Sequence, residues 1–390
     1  MAKDVLSEQP VVLQVLPALG TGGVERGTVE IAEAIVASGG VALVASAGGR
    51  LAASVERVGG RHITLPLDTK NPFLIWRNAA RLCDIICAER VAIVHARSRA
   101  PAWSAWLACR RTGARFVTTY HGAYRENFPW KRRYNAVMAE GERVIAISRF
   151  IAGRIEAQHG VGAGRIRIIP RGVDVEIFNP ETVSGERMAA LARAWRLPDG
   201  VPVIMLPGRL AGWKGQSVLI DALAMLPDQE FICVLVGGGG ARITGRLLRQ
   251  AARRNVSERL RLVGATDDMP AALMLADVVV HASITPEAFG RVVIEAQAMG
   301  RPVIASDLGG PVETVEHGVT GWRVPPGDPA ALAQALRHVL AMPPGDREAL
   351  AAATRASVRR DYTKCAMQEA TLDVYEELLA EACGRHAARP

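Results

Sequence analysis

Short apolar, β-branched runs alternate with helical spacings along most of this 390-residue chain. Residues 11–16, 41–45, 91–96, 116–119, 144–147 and 166–169 predict buried strands, separated by helical patterns over 23–38, 73–89 and 101–112. Continuous apolar strands joined by helices predict a parallel sheet covered on both faces. The rhythm lapses over 172–200, where Pro180, Pro198 and Gly200 predict a linker. It restarts with strands at 201–206, 231–236, 260–263, 278–281 and 303–305. The expected architecture is therefore α/β, with two similar units in tandem. From about 345 onward the pattern is helical only, with Leu372, Tyr375, Leu378 and Leu379 spaced for one apolar face.

Length and composition agree with two domains, since 390 residues of which 49% are apolar exceed one ordinary core. No run of apolar residues is long enough for a membrane span. The first eight residues lack the basic-then-apolar order of a signal peptide, so a cytoplasmic location is expected. Cysteines stand at 83, 87, 109, 233, 365 and 383 without a CxxC pair, which predicts reduced thiols and no structural zinc. The formal charge of +8 is uneven: residues 97–133 hold nine Arg or Lys against one acid, Glu126. That excess suits a phosphate-rich partner, and nucleic acid, anionic lipid and an anionic substrate all qualify.

Open α/β sheets bind ligands at the carboxyl ends of their strands, and the chemistry-bearing motifs fall there. Gly20-Thr21-Gly22-Gly23-Val24-Glu25-Arg26 joins the first strand to a helix. It reads either as a tight turn or as a place where backbone amides meet an anion. Gly237–Gly240 misses the dinucleotide fingerprint, because Arg242 or Ile243 occupies the position of the last glycine. Gly208–Lys214 misses the phosphate-loop pattern, because Trp213 precedes the lysine. Arg209 and Lys214 nevertheless form a pair of cations in a glycine-rich loop after a strand, suited to a diphosphate; a solvated surface pair is the plainer reading.

The most informative segment is Pro286-Glu287-Ala288-Phe289-Gly290-Arg291-Val292-Val293-Ile294-Glu295-Ala296. Glu287 sits in a loop after a strand, and Glu295 lies inside an apolar helix, where a carboxylate is costly without a partner. Sugar hydroxyls would supply such partners; a helix cap at Glu287 and a structural pair at Glu295 are the alternatives. The loop 288–290 offers free amides for phosphate. His121, in Thr119-Tyr120-His121-Gly122, follows a strand in the first half and is either structural or part of a site. The chain has no Asp-x-Asp, no HExxH and no Gly-x-Ser-x-Gly, so metal hydrolysis and serine acyl transfer lack their motifs.

Taken in order, GGVER, TTYHG, IPRGVD, GRLAGWKG, VGGGG, PEAFGRVVIEAQAMG and PVIA with its following GG resemble the family 4, or group 1, retaining glycosyltransferases over roughly residues 11–330. The resemblance implies the GT-B fold, two Rossmann-like domains facing across a cleft: an acceptor-binding domain over 1–190, a nucleotide-sugar-binding domain over 191–360, and a C-terminal helix over 361–390 returning to the first. It implies that Arg209 and Lys214 hold the donor diphosphate with amides near Phe289 and Gly290. Glu287 would bind the transferred sugar, Glu295 the ribose and His121 the donor sugar, with Gly22 and Gly23 near the phosphates. Residues 264–268 would meet the base. No cofactor or metal is expected; the partners are a nucleotide sugar and a glycan or glycolipid acceptor, with no nucleic acid.

Two positions depart from the family pattern. Arg171 stands where Asn is common, and Arg97 where a second histidine is common. With Arg99, Lys131, Arg132 and Arg133 and nearby Trp103, Trp106, Phe128 and Trp130, Arg97 suggests an acceptor site or a peripheral contact with anionic membrane, at the inner face of the cytoplasmic membrane. Lipopolysaccharide or other cell-envelope polysaccharide synthesis is the expected setting. A nucleotide-sugar epimerase or hydrolase, or a non-catalytic nucleotide-sugar-binding protein, is the alternative.

Overall fold

The structure, a computed structural model, describes residues 9–20, 22–124 and 128–387, with backbone alone over 383–387. The features noted above at residues 1–8, Thr21, Arg125, Glu126 and the Cys383 side chain lie outside the described residues. The chain divides into two compact units, Met1–Pro170 together with Cys365–Pro390, and Arg171–Lys364.

The first unit contains seven parallel strands: β1 (Val11–Val15), β2 (Val41–Ser46), β3 (Arg61–Thr64), β4 (Ile93–Ala96), β5 (Arg115–Tyr120), β6 (Arg143–Ala146) and β7 (Ile166–Ile168), in the order β3-β2-β1-β4-β5-β6-β7. The second contains six: β8 (Val203–Pro207), β9 (Ile232–Val236), β10 (Leu260–Gly264), β11 (Val278–His281), β12 (Val303–Ser306) and β13 (Trp322–Val324), in the order β10-β9-β8-β11-β12-β13. Both are doubly wound Rossmann-like sheets, the two α/β units expected for GT-B. In each, strand order reverses beside the first strand, between β1 and β4 and between β8 and β11. Those crevices are where ligands of open sheets bind.

The interior strands form because they are apolar on both faces: β8 and β9 are buried at every position. β3 and β13, absent from the expected set, are edge strands whose sequences Arg-His-Ile-Thr and Trp-Arg-Val lack a continuous apolar run. Residues 172–200, expected to be a linker with the domain boundary inside it at 190/191, belong to the second unit, which begins at Arg171. Ser184 caps the helix Gly185–Trp195, Trp195 is buried, and Arg187 makes two bonds of 2.8 and 2.6 Å to Asp268. The prolines and glycine that suggest a linker flank that helix rather than interrupt it.

The C-terminal helix Lys364–Ala387 supplies Tyr375 and Leu378 to the core of Val12, Val44, Ile93 and Val117. Glu377 on the same helix accepts from Arg143 at 2.7 Å and from Arg167 at 2.5 Å. These two guanidinium groups hold its carboxyl at about 2.

Candidate functional site

At the switch point of the second unit, four polar side chains meet. Lys214 Nζ donates to both carboxylate oxygens of Glu287, at 2.7 and 2.9 Å. Ser283 Oγ donates to the same carboxylate. His281, the last residue of β11, brings Nε2 to 2.9 Å from Glu287 Oε1. The side chains of Lys214, Glu287 and His281 are 16%, 13% and 3% exposed, so the ion pair is largely withdrawn from water. Burial pushes the Glu287 carboxyl up, but His281 and Lys214 outweigh it and hold it far below the ordinary carboxylate range.

Glycines make this arrangement possible. Gly208, at φ 140°, ends β8 in a conformation that favours glycine, and Lys214 lies across it, with Nζ 3.9 Å from where a Cβ would stand. Gly237 packs its backbone on Gly208, where a Cβ would fall 2.1 Å from the Gly208 carbonyl oxygen. The glycine run 237–240 thus seats the cation loop, which explains a motif that misses the dinucleotide fingerprint. Leu210 N donates to Gly238 O at 2.9 Å, and Gln216 holds the Arg209 carbonyl at 3.2 Å. On the other side, Gly310 N donates to Glu287 O at 2.8 Å, and a Cβ on Gly310 would stand 2.4 Å from Ala288 O. The Gly309-Gly310 pair therefore fixes the loop that aims Glu287.

The expected donor-site residues divide accordingly. Lys214 and Glu287 are brought together. Arg209 shares the loop with Lys214 but is exposed, and the described partner of Lys214 is Glu287 rather than a point shared by the two cations. Gly290, at φ 82°, caps the helix Arg291–Ala298. Phe289 turns its ring inward, 4% exposed and 5.9 Å from Tyr362, which leaves its backbone as the part able to meet a ligand. Glu295 is buried on that helix, 3.6 Å from Arg291. His281 and Ser283 were not singled out in the sequence, because they read as the end of an apolar strand. Among the described residues no group of three or more His, Cys, Asp or Glu could hold a metal ion.

The switch point of the first unit is a cavity lined by Glu25, Arg97, Ser98, His121, Gly122 and Tyr124. Gly22 caps the helix Gly23–Ala37, and the Glu25 carboxylate folds back over the loop, 2.4 Å from where a Cβ on Gly22 would stand. An acidic group thus already lies at the positive end of this helix.

Arg97 is corrected by the structure: it is not a membrane-facing residue. It is 2% exposed and donates to Gln14 Oε1 at 3.0 Å, while burial pushes its guanidinium down to about 10. The end of β4 carries it inside, next to His95, which lies between Tyr375 Oη and Thr119 Oγ1 at 2.6 Å each. Burial, with Arg97 nearby, keeps His95 well below its usual range.

Arg99 is likewise occupied, donating to Asn135 at 2.9 Å and stacking 4.1 Å over Tyr124. Trp103 donates to Tyr134 O at 3.1 Å and packs edge-on against Trp106. One exposed part of the basic stretch is the helix Pro129–Ala136 and its cap, with Arg132 and Arg133 exposed, Phe128 stacked on Trp130, and Lys131 5.5 Å from the Trp130 ring. Trp130 is 65% exposed, an unusual place for a large aromatic ring on a soluble surface.

Residues 189–357 match the family described as glycosyl transferases group 1, and residues 21–177 the one described as glycosyltransferase family 4. A D-inositol 3-phosphate glycosyltransferase from Xylanimonas cellulosilytica is 33% identical over 320 residues, covering 76% of this chain and 73% of that protein. Across curated relatives with that name, the match spans from 46% to 73% of the relative's length. The crystal structure of a glycosyltransferase from Rickettsia africae superimposes with a TM-score of 0.88 at 36% identity, covering 95% of this chain and 99% of that one. Anabaena Alr3699/HepE in complex with UDP-glucose has the same fold, with a TM-score of 0.81 at 24% identity over 94% of this chain and 99% of its own.

Proposed function

This chain belongs to the group 1, family 4 glycosyltransferases, and we propose that it moves a sugar from a nucleotide-diphosphate donor to a glycan or glycolipid acceptor with retention of anomeric configuration. The observation that carries this is the Lys214–Glu287 pair at the β8–β11 switch point. One partner suits a diphosphate and the other suits sugar hydroxyls, and they stand within a single hydrogen bond of each other.

In this account Arg209 and Lys214 bind the donor diphosphate, with backbone amides at Phe289 and Gly290. Glu287 accepts from hydroxyls of the transferred sugar and Glu295 from the ribose. His121 meets the donor sugar, with Gly22 and Gly23 near the phosphates. Breaking the sugar–phosphate bond leaves negative charge on the diphosphate, and fixed cations there lower the barrier most. An oxygen of that leaving group accepts the acceptor hydroxyl's proton, and the new bond forms on the face that the diphosphate leaves. Two cations take the place of a metal.

The acceptor carries an anionic group, and the protein works at the inner face of the cytoplasmic membrane in cell-envelope polysaccharide synthesis. Exposed Phe128, Trp130, Arg132 and Arg133 support that setting. The test is a screen of nucleotide sugars by thermal shift, since a donor that binds the native state raises its stability. It is followed by an assay for acceptor-dependent donor turnover. Turnover that ignores the acceptor would point to an epimerase or hydrolase instead, and binding without turnover to a non-catalytic protein.

A further inference from the structure

Three groups contact the Glu287 carboxylate, and the proposed function removes one of them. When the donor's diphosphate draws Lys214 away, the carboxylate keeps the neutral Ser283 hydroxyl and His281. Its side chain is 13% exposed, and a carboxylate so far withdrawn from water is costly to leave without a cation.

His281 is placed to supply that cation. It is 4% exposed at the carboxyl end of β11, with Nε2 2.9 Å from Glu287 Oε1 but not aligned for a hydrogen bond. Nδ1 is also buried without a hydrogen-bond partner among the described residues. An imidazole held this way gains nothing as a packing element that an apolar side chain would not give more cheaply. Ala305 lies beside it on β12, and Gly290 with the Pro311 ring beyond stands against Nε2. The ionisable groups that the structure sets against it are Glu287 and, through Glu287, Lys214.

We propose that His281 takes up a proton from solvent when the donor binds, and that the imidazolium replaces Lys214 as the cation held against Glu287. The inference rests on the donor assignment above. One cation leaves the carboxylate and one forms beside it, so the local charge is preserved. His281 is a positioning residue, acting on the donor through Glu287.

Proton uptake on binding means that the donor binds more tightly at lower pH. Where uptake is complete, the dissociation constant rises by about tenfold per pH unit. The bridging diphosphate of an intact nucleotide sugar does not titrate near neutrality, so the signal belongs to the protein.

The experiment is isothermal titration calorimetry of the full chain with UDP-glucose, UDP-N-acetylglucosamine, GDP-mannose and ADP-glucose. It is run from pH 6 to 9 in paired buffers of different protonation enthalpy. The wild type should take up protons, approaching one per donor bound, within part of that range. His281→Gln and His281→Asn should bind donor with no uptake and a dissociation constant that stays flat with pH. A wild type that binds donor without uptake at every pH overturns the proposal, as does a His281→Gln variant that takes up the same number. Failure of the donor assignment looks different: none of the four ligands binds, or Lys214→Met binds as tightly as the wild type.

Discussion

Lys214 and Glu287, 73 positions apart, share two hydrogen bonds of 2.7 and 2.9 Å at the carboxyl ends of β8 and β11. A donor that uses both must separate them, so each is held ready by the other. Lys214→Met and Glu287→Gln should each lower kcat/KM by about 10²–10³-fold. Because the pair acts as a unit, the double variant should lose much less than the product of the two single losses. Steady-state kinetics on the four proteins measures this, with circular dichroism to confirm that all four fold.

Gly310 and Gly238 make opposite predictions for the same substitution. A Cβ on Gly310 would meet the Ala288 carbonyl at 2.4 Å and push on the Glu287 loop, whereas one on Gly238 meets nothing within 4 Å. Gly310→Ala should cost about 1–3 kcal/mol of stability and weaken donor binding. Gly238→Ala should stay within about 0.5 kcal/mol of the wild type. Urea unfolding and donor titration distinguish them.

Tyr375 reaches from the C-terminal helix to buried His95 at 2.6 Å. Tyr375→Phe leaves an imidazole nitrogen unpaired in the core of the first unit, which should cost about 1–3 kcal/mol. Donor affinity should not change, because neither Tyr375 nor His95 is among the residues assigned to the donor. Unfolding curves together with donor titration test both halves.

Glu377 titrates at about 2, below its ordinary 4.5, because Arg143 and Arg167 bind the ionised form. A lowered carboxyl adds stability that is fully present above the ordinary value and is lost as pH falls towards the folded one. Protection of the C-terminal helix should therefore weaken between about pH 4.5 and 2, and Glu377→Gln should flatten that dependence. Hydrogen exchange across the acid range reports it.

The exposed helix Pro129–Ala136 carries the membrane part of the account. Replacing Lys131, Arg132 and Arg133 together by Gln should weaken binding to vesicles containing phosphatidylglycerol by about tenfold or more, since each basic residue contributes about 1 kcal/mol. Binding to neutral vesicles should be weak for both proteins. Co-sedimentation at fixed salt measures it, and unchanged binding to the anionic vesicles removes the membrane contact.

How much was legible in the chain follows from what leaves a local trace. Interior strands such as β9 show as unbroken apolar runs because both faces are covered, whereas edge strands β3 and β13 carry Arg61 and Arg323 and show no such run. Lys214 and Glu287 stand out locally through their loops, but their contact depends on two strands meeting at a switch point, which no spacing encodes. His281 reads as the polar end of an apolar strand until its distance to Glu287 is known. Arg97 misleads in the other direction: counted with its basic neighbours it suggests a surface, yet β4 delivers it to the interior, where Gln14 receives it. The helix Gly185–Trp195 hides between punctuating prolines, and its burial rests on one tryptophan and the Arg187–Asp268 pair.

The central claim is that the Lys214–Glu287 site transfers a sugar. The most direct measurement is release of nucleoside diphosphate from the bound nucleotide sugar, with and without a glycan or glycolipid acceptor, by the wild type and by Glu287→Gln. The account predicts release that requires the acceptor, product that keeps the donor's anomeric configuration by NMR, and a loss of about 10²–10³-fold in the variant. Release at the wild-type rate by Glu287→Gln, or a product of inverted configuration, would contradict it.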